Sequence, residues 1–577
     1  MSHTPNYDAK IKTILDELKP GERVCALTGE KWVMDEEEIS WFKRFNVSPS
    51  PYSRKVRMWH NAAFYSGYQW WWNKHCYTNE PVLTYVHPAS GIKVLPDKEW
   101  FAKDFSEINL VYSSDRTFFE MFRELQLGIP VNATRNTKEP ENSIASTSLG
   151  DTNSFFVAGC RSKDCLYCMD CLDAENSVDS SAGNNLSECF SISHSSRLSR
   201  CQFIFESFDC MNCGFLFDCR NCEFCFGATN KRNKKYLLFN KQLTKENWEA
   251  EMAKINLGSY QQLEETKKKF IDLIENEAIW PNSFGDQTQN CTGDYLNKCS
   301  NCVMSFYGNN AHDNYYCYGI YDASGNAFST VIPGDNNYQT GVGSGSSNCK
   351  FSISTMRCDD LEYSLNCYDC EHCFGCVGLR HKKCHIFNQP YSEEEYWQKV
   401  DELKCKMLER GEYGRPIPMN FSFSYFPESG PVIYFGAEIS DWEKLGMKKF
   451  EASAEGAYGE SRMAGKEIVS VDQLPDDIKD LNPDEWLSRP IADPVTGRPY
   501  SLLKPEIEFY KKYNLAAPRK HFTSRIIDLM MLMNTGWLET KRCQKCQKEV
   551  TVAINRTFRN KRAFCHDCYL KYLEENN

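Results

Sequence analysis

CRNCEFCFGATNKRNKKYLLFN, residues 219–240, returns as CYDCEHCFGCVGLRHKKCHIFN, residues 367–388. The two stretches agree at 11 of 22 positions, at a constant offset of 148 and without a gap. Each runs into a helix start, Thr244–Trp248 in the first and Ser392–Tyr396 in the second. Ser392 with Glu395 three residues on has the form of a capping box. The chain therefore reads as a tandem duplication.

Each copy has a finer rhythm, in which a small polar or charged residue precedes a Cys or Ser. In copy one the pairs are Asp164-Cys165, Asn176-Ser177, Glu188-Cys189, Arg200-Cys201, Asp209-Cys210 and Asp218-Cys219, in steps of 12, 12, 12, 9 and 9. Copy two is looser, running through Gly325-Asn326, Asn337-Tyr338, Asn348-Cys349, Arg357-Cys358 and Asn366-Cys367. The alternating fragments between pairs, such as Gln202–Glu206 and Lys350–Ser354, are too short for helices. A short strand and turn per step, with two steps per turn, predicts a β-solenoid whose equivalent inward positions lie ~4.8 Å apart.

Twenty-two of the 29 cysteines lie between Cys160 and Cys384, so they belong to this architecture. A thiol is small and tolerates burial, and a ladder of thiols inside the solenoid is the favoured reading. Metal binding is the alternative. Cys367, Cys370, Cys373 and Cys376 approach an iron–sulfur run, but the last gap is two residues and Val377 stands where Pro is usual. Copy one has Ala228 at the fourth position. Zinc ligands could be drawn from Cys210, Cys213, Cys219, Cys222 and Cys225, or from Cys160, Cys165, Cys168 and Cys171.

The clearest metal signal lies elsewhere. Cys543-x2-Cys546 and Cys565-x2-Cys568, with 18 residues between, have zinc-ribbon spacing. Glu549–Ala553 between them reads as a strand. Four protein ligands close the shell, which predicts one structural Zn2+ without an open coordination position. From Lys541 to Arg562 the ribbon is basic, although the whole chain carries a net charge of −11. That charge excludes general coating of nucleic acid and leaves a local patch as the candidate RNA contact: Lys541, Arg542, Lys545, Arg556, Arg559, Lys561 and Arg562, with Lys548 beside them.

A second echo links the chain ends. At an offset of 468, Thr28-Gly29 meets Thr496-Gly497, Glu38-Ile39 meets Glu506-Ile507, Asn46 meets Asn514 and Arg57 meets Arg525. Cys76 falls within one residue of Cys543, but Asn79 replaces the second Cys and no CxxC follows near residue 98. The N-terminal part is thus expected to be a ribbon unit without its ligands, its core supplied by aromatics such as Trp70, Trp71 and Trp72.

Three features together resemble a Cys-rich zinc-ribbon-domain family found in small-genome, uncultivated bacteria. They are the doubled C-F-G…K-K…F-N before a helix, the segment Phe118–Leu125, and Glu506–Asn514 followed by the terminal CxxC pair. The resemblance covers nearly the whole chain. It implies architecture and zinc rather than a reaction, because the family carries no assigned activity. Its members commonly keep CxxC knuckles in the N-terminal part, where this sequence departs.

The sequence has no HExxH, no Walker A loop and no G-x-S-x-G. Gly341–Gly345 lies in a repeat step without a strand–helix frame and reads as a turn. No apolar stretch is long enough to span a bilayer, and the first residues lack a secretory pattern, so a cytoplasmic location with reduced thiols is expected. The expected architecture is mainly β with α, in six segments. These are 1–137 (degenerate ribbon-like module), 138–257 (solenoid copy one), 258–290 (helical connector), 291–412 (solenoid copy two), 413–480 (irregular insertion) and 481–577 (C-terminal zinc-ribbon module). The expected function is a non-catalytic scaffold that binds a protein or ribonucleoprotein. The rival reading is metal or redox chemistry, zinc or Fe–S, at the clustered cysteines.

Overall fold

The computed structural model describes residues 2–332, 334–452 and 465–577. The fold mixes α and β and is rich in parallel strands. Residues 453–464 of the segment 413–480 lie outside the described residues.

From Leu166 to Phe217 the chain lays down four-residue strands separated by two-residue links: Leu166–Met169, Leu172–Glu175, Val178–Ser181, Asn184–Ser187, and so on to Gly214–Phe217. Alternate strands belong to two different sheets. Within each sheet a strand pairs in parallel with the one twelve residues later. Leu166 pairs with Val178, Val178 with Phe190 and Phe190 with Gln202. In the other sheet Leu172 pairs with Asn184 and Asn184 with Ser196. Twelve residues therefore make a complete circuit containing two strands. This corrects the reading of each 9- or 12-residue step as half a turn.

The underlying period is three. From Asp164 to Phe224 every third residue has φ between 40° and 57°. That region costs most L-residues energy and is tolerated best by Asn and Asp. The polar residue of each sequence pair (Asp164, Asn176, Asp209, Asp218) occupies such a corner. The residue after each corner points inward. This common factor is why steps of 9 and 12 coexist.

Inward positions fall into two kinds. Those within strands include Leu186, Ile192, Leu198, Ile204 and Leu216, all buried. Those in links are Cys171, Ser177, Gly183, Cys189, Ser195, Cys201, Ser207, Cys213 and Cys219. The reason is hydrogen bonding. The link N–H of Cys225 donates to Cys213 Sγ at 3.4 Å, that of Cys189 to Ser177 Oγ at 3.2 Å, and that of Cys219 to Ser207 Oγ at 2.9 Å. Each thiol in turn donates to carbonyls, as Cys201 Sγ does to Ser199 O at 3.4 Å and Cys210 O at 3.4 Å. A buried N–H without an acceptor is costly, and a small side chain that both accepts and donates meets the need.

The second stack obeys the same logic less regularly. Strands Gly293–Asn297, Ser305–His312, Tyr318–Ser324 and Thr330–Ile332 form one parallel sheet. Isolated bridges carry the ladder onward, including one 11-residue circuit from Ala327 to Tyr338. Asp359–Glu362, Glu371–Phe374 and Lys383–Ile386 resume it. Here Asn314, Asn326 and Asn337 replace Cys in part of the link column. Asn326 N donates to Asn314 Oδ1 at 3.1 Å and Cys349 N to Asn337 Oδ1 at 3.0 Å. The helix Tyr260–Glu277, capped by Ser259, follows the first stack, and the helix Glu393–Glu409 after the second has the Ser392/Glu395 capping box.

The chain ends repeat one another in detail. Helices Glu36–Phe45 and Arg54–Ala63 correspond to Lys504–Tyr513 and Phe522–Met531, each displaced by 468 residues. Each pair holds a buried ion pair, Arg57–Glu38 at 2.8 Å and Arg525–Glu506 at 3.0 Å. They dock crosswise. Arg57 Nη2 donates to Tyr338 OH of the second stack at 2.6 Å. Glu506 accepts from Tyr167 OH of the first stack at 2.9 Å.

Candidate metal centre

Cys543 and Cys546 sit in the turn between strands Asn534–Arg542 and Glu549–Asn555. Cys565 and Cys568 open the helix His566–Asn576, with Cys565 at its N-cap. The strand before them, Arg562–Phe564, pairs in parallel with Ile279–Pro281 and so fixes Cys565 and Cys568 against that strand. The four sulfurs lie within 4.8 Å of one another. Cys546 Sγ and Cys565 Sγ are 3.7 Å apart, close to the roughly 3.8 Å edge of a tetrahedron with ~2.3 Å metal–sulfur bonds. This four-cysteine cluster can hold a metal ion, and among the described residues no other such group of His, Cys, Asp and Glu occurs.

The turn prepares a thiolate. Burial pushes the Cys543 thiol up, but the N–H groups of Cys546, Cys565 and Lys545 outweigh it and bring it down to about 6. The neighbouring Cys565 thiol, the largest influence on Cys568, holds that group up at about 12. Four anions cannot crowd together without a cation among them.

The same turn occurs at four places. Gln547 N donates to Cys543 O at 2.8 Å and Cys543 N to Lys548 O at 2.8 Å. The same two bonds join Asn79 to His75 and His75 to Glu80, Gly29 to Cys25 and Cys25 to Glu30, and Gly497 to Asp493 and Asp493 to Arg498. Gly29, Asn79, Gly497 and Gln547 all have positive φ, between 61° and 71°. In two of these turns the first side chain accepts local N–H groups. His75 Nδ1 takes those of Tyr77 at 3.2 Å and Thr78 at 3.1 Å, and Asp493 Oδ2 takes that of Thr496 at 2.9 Å.

The position equivalent to Cys543 is therefore His75, not Cys76. The signal was present, since 543 less the offset of 468 is 75. His75 Nε2 instead meets Glu99 Oε2 at 3.1 Å. Cys25 sits in the same turn, 2% exposed. Asp493 is closed by the Ser524 hydroxyl at 3.0 Å.

The basic residues divide. Arg542, Lys545 and Arg559 are exposed, as is Lys548. Lys541 reaches Glu539 at 3.0 Å and Arg559 O at 2.9 Å. Arg562 is half-buried in its strand. Arg556 donates to the carbonyls of Val432 and Ile433. Lys561 is buried, bonded to Asn534 Oδ1 at 2.9 Å and set over the Trp280 ring at 4.7 Å. Burial pushes its ammonium down to about 8. Arg556 and Lys561 are thus engaged inside the protein and not arrayed on the surface. Among the described residues no helix is long and apolar enough to cross a membrane.

No family model matches the sequence, and no curated protein matches it. A solved structure from Desulfovibrio desulfuricans G20, described as a "putative acetyltransferase", aligns over 47% of this chain and 81% of its own, with 8% identity and a TM-score of 0.10. That likeness carries no argument.

Proposed function

We propose that the protein is a non-catalytic, zinc-binding scaffold, built from two duplicated β-solenoid halves between ribbon-type modules. The single observation that carries this reading is the four-cysteine cluster, whose sulfurs are mutually within 4.8 Å. A shell filled by thiolates supports structural Zn2+, because a catalytic site keeps a position open. Duplication is supported by the 148-residue offset together with the matching helix caps at Thr244 and Ser392.

The partner is a protein or ribonucleoprotein, with RNA contacted through the ribbon's exposed cations Arg542, Lys545, Lys548 and Arg559. The repeat cysteines are packing and hydrogen-bonding groups in this reading, which the carbonyl and N–H partners of Cys201 and Cys213 support. Elemental analysis of protein purified without oxygen tests the metal. About one zinc and no iron per chain supports the proposal, and stoichiometric iron refutes it. Charge reversal of Arg542, Lys545, Lys548 and Arg559 is expected to abolish salt-sensitive RNA binding while the fold is kept. RNA binding that survives this change, or that is absent from the native protein, refutes the RNA contact.

A further inference from the structure

A cavity of about 1130 Å³ lies between the two stacks and is lined by both. Tyr65, Tyr318, Tyr321 and Tyr434 share its wall with Asp170 of the first stack. Ring centroids are 5.5 Å apart for Tyr65 and Tyr434 and 5.0 Å for Tyr318 and Tyr434. Burial raises the phenols of Tyr65, Tyr318 and Tyr434, with the negative charge of Asp170 among the further causes.

Asp170 occupies a left-handed corner with φ 52°. One circuit earlier Gly159 leaves it room, since a Cβ there would lie 2.4 Å from Asp170 Oδ1. The side chain is open to the cavity yet enclosed by protein, and that enclosure pushes its carboxyl up to about 7. Among the described residues no cation and no hydrogen-bond donor meets it. The guanidiniums nearby are engaged elsewhere. Arg197 pairs with Asp209, Arg232 with Asp218, and Arg220 donates to Glu206 O. Tyr321, 46% exposed, faces the same space.

An unpaired carboxylate in a cavity lined by four tyrosines suits one ligand chemistry. A metal cation would require more oxygen ligands than one carboxylate offers. A primary ammonium would bring three N–H donors that need acceptors. A methylated ammonium has a diffuse charge, needs few hydrogen bonds and is attracted to ring faces. We propose that this cavity binds a quaternary or N-methylated ammonium group, with Asp170 as counter-ion and Tyr65, Tyr318, Tyr321 and Tyr434 as the aromatic wall. The group belongs either to a free small molecule or to a trimethylated lysine side chain. The proposal does not depend on the ribbon's role in RNA contact.

Isothermal titration of the full-length, metal-replete protein tests it, using tetramethylammonium, choline, a trimethyl-lysine peptide and 3,3-dimethylbutanol as the neutral isostere of choline. Binding of at least one cation, with none by the isostere, is expected. Asp170→Asn and Tyr321→Ala are each expected to weaken it about tenfold or more, with unchanged circular dichroism. Tyr321→Ala keeps the test decisive if Asp170→Asn folds poorly. Binding of the peptide alone assigns the side-chain source, and binding of choline or tetramethylammonium assigns the small molecule. No binding at millimolar concentration, equal binding of the isostere, or native affinity in the folded variants overturns the proposal.

Discussion

The turn at Cys543 and the turn at His75 share one backbone and differ in what surrounds them. At Cys543 three further thiols converge, and Cys546 is exposed. At His75 one glutamate answers the imidazole, and the adjoining strand carries the buried Trp71, packed on His87 at 4.4 Å and beneath Arg498 at 4.2 Å. The comparison teaches that the turn does not need metal to form, because local N–H donors and a left-handed fifth residue suffice. Aromatic packing lies beside one hairpin, and a four-cysteine cluster that can hold a metal ion closes the other.

The largest effect should come from removing that difference. Cys543→Ser with Cys565→Ser is expected to reduce bound zinc from about one per chain to none. It should free amide exchange throughout 534–576, since structural zinc supplies on the order of 10 kcal/mol to such ribbons. His75→Ala should leave the zinc content unchanged and cost about 1–2 kcal/mol by orphaning the Tyr77 and Thr78 N–H groups. Zinc lost on mutating His75 would break the contrast.

The ion pairs come next. Arg57→Met leaves the buried Glu38 with Arg54, at 2.9 Å, as its remaining cation, whereas Arg525→Met leaves the buried Glu506 with hydroxyl and N–H donors but no cation. Urea unfolding should show a loss of about 3–5 kcal/mol for Arg525→Met and a smaller one for Arg57→Met. Equal losses would mean that Arg54 does not share the charge of Glu38.

Within the stack, Leu198→Ala should cost about 2–5 kcal/mol and Cys201→Ser under about 1 kcal/mol, because one empties a packed strand position and the other keeps a link donor and acceptor. Equal costs would erase the distinction between strand and link positions.

The smallest effect concerns His372, whose Nδ1 lies 2.8 Å from Asp360 one circuit back. That hydrogen bond raises the imidazole above its ordinary value. Its stabilisation is fully present below the ordinary histidine pKa and is lost as pH rises through the raised one. At this half-buried site the effect is under about 1 kcal/mol. Thermal melts at pH 5.5 and 8.5 should differ less in Asp360→Asn than in the native protein.

Much of this was legible in residue order. The two CxxC motifs marked the four-cysteine cluster that can hold a metal ion. The period was misread because Cys and Ser recur at 9 and 12 residues, whereas the physical unit, a corner followed by an inward residue, is three and is filled by many residue types. Arg556 and Lys561 look like surface charge in a basic run. Only tertiary packing against Val432, Ile433, Asn534 and Trp280 draws them inward. The cavity at Asp170 had no sequence signal, because its walls come from four distant parts of the chain.

The crosswise docking sets an order on synthesis. Arg57 leaves the ribosome 281 residues before its partner Tyr338, roughly 15–55 s at ordinary elongation rates. Tyr167 waits still longer, 339 residues, for Glu506. The N-terminal helix pair thus waits for the second stack, and the first stack waits for the C-terminal helix pair. A nascent chain stalled between the two stacks would expose the helix pair 36–63 without its seat, and that interval is when a chaperone would have most to grip.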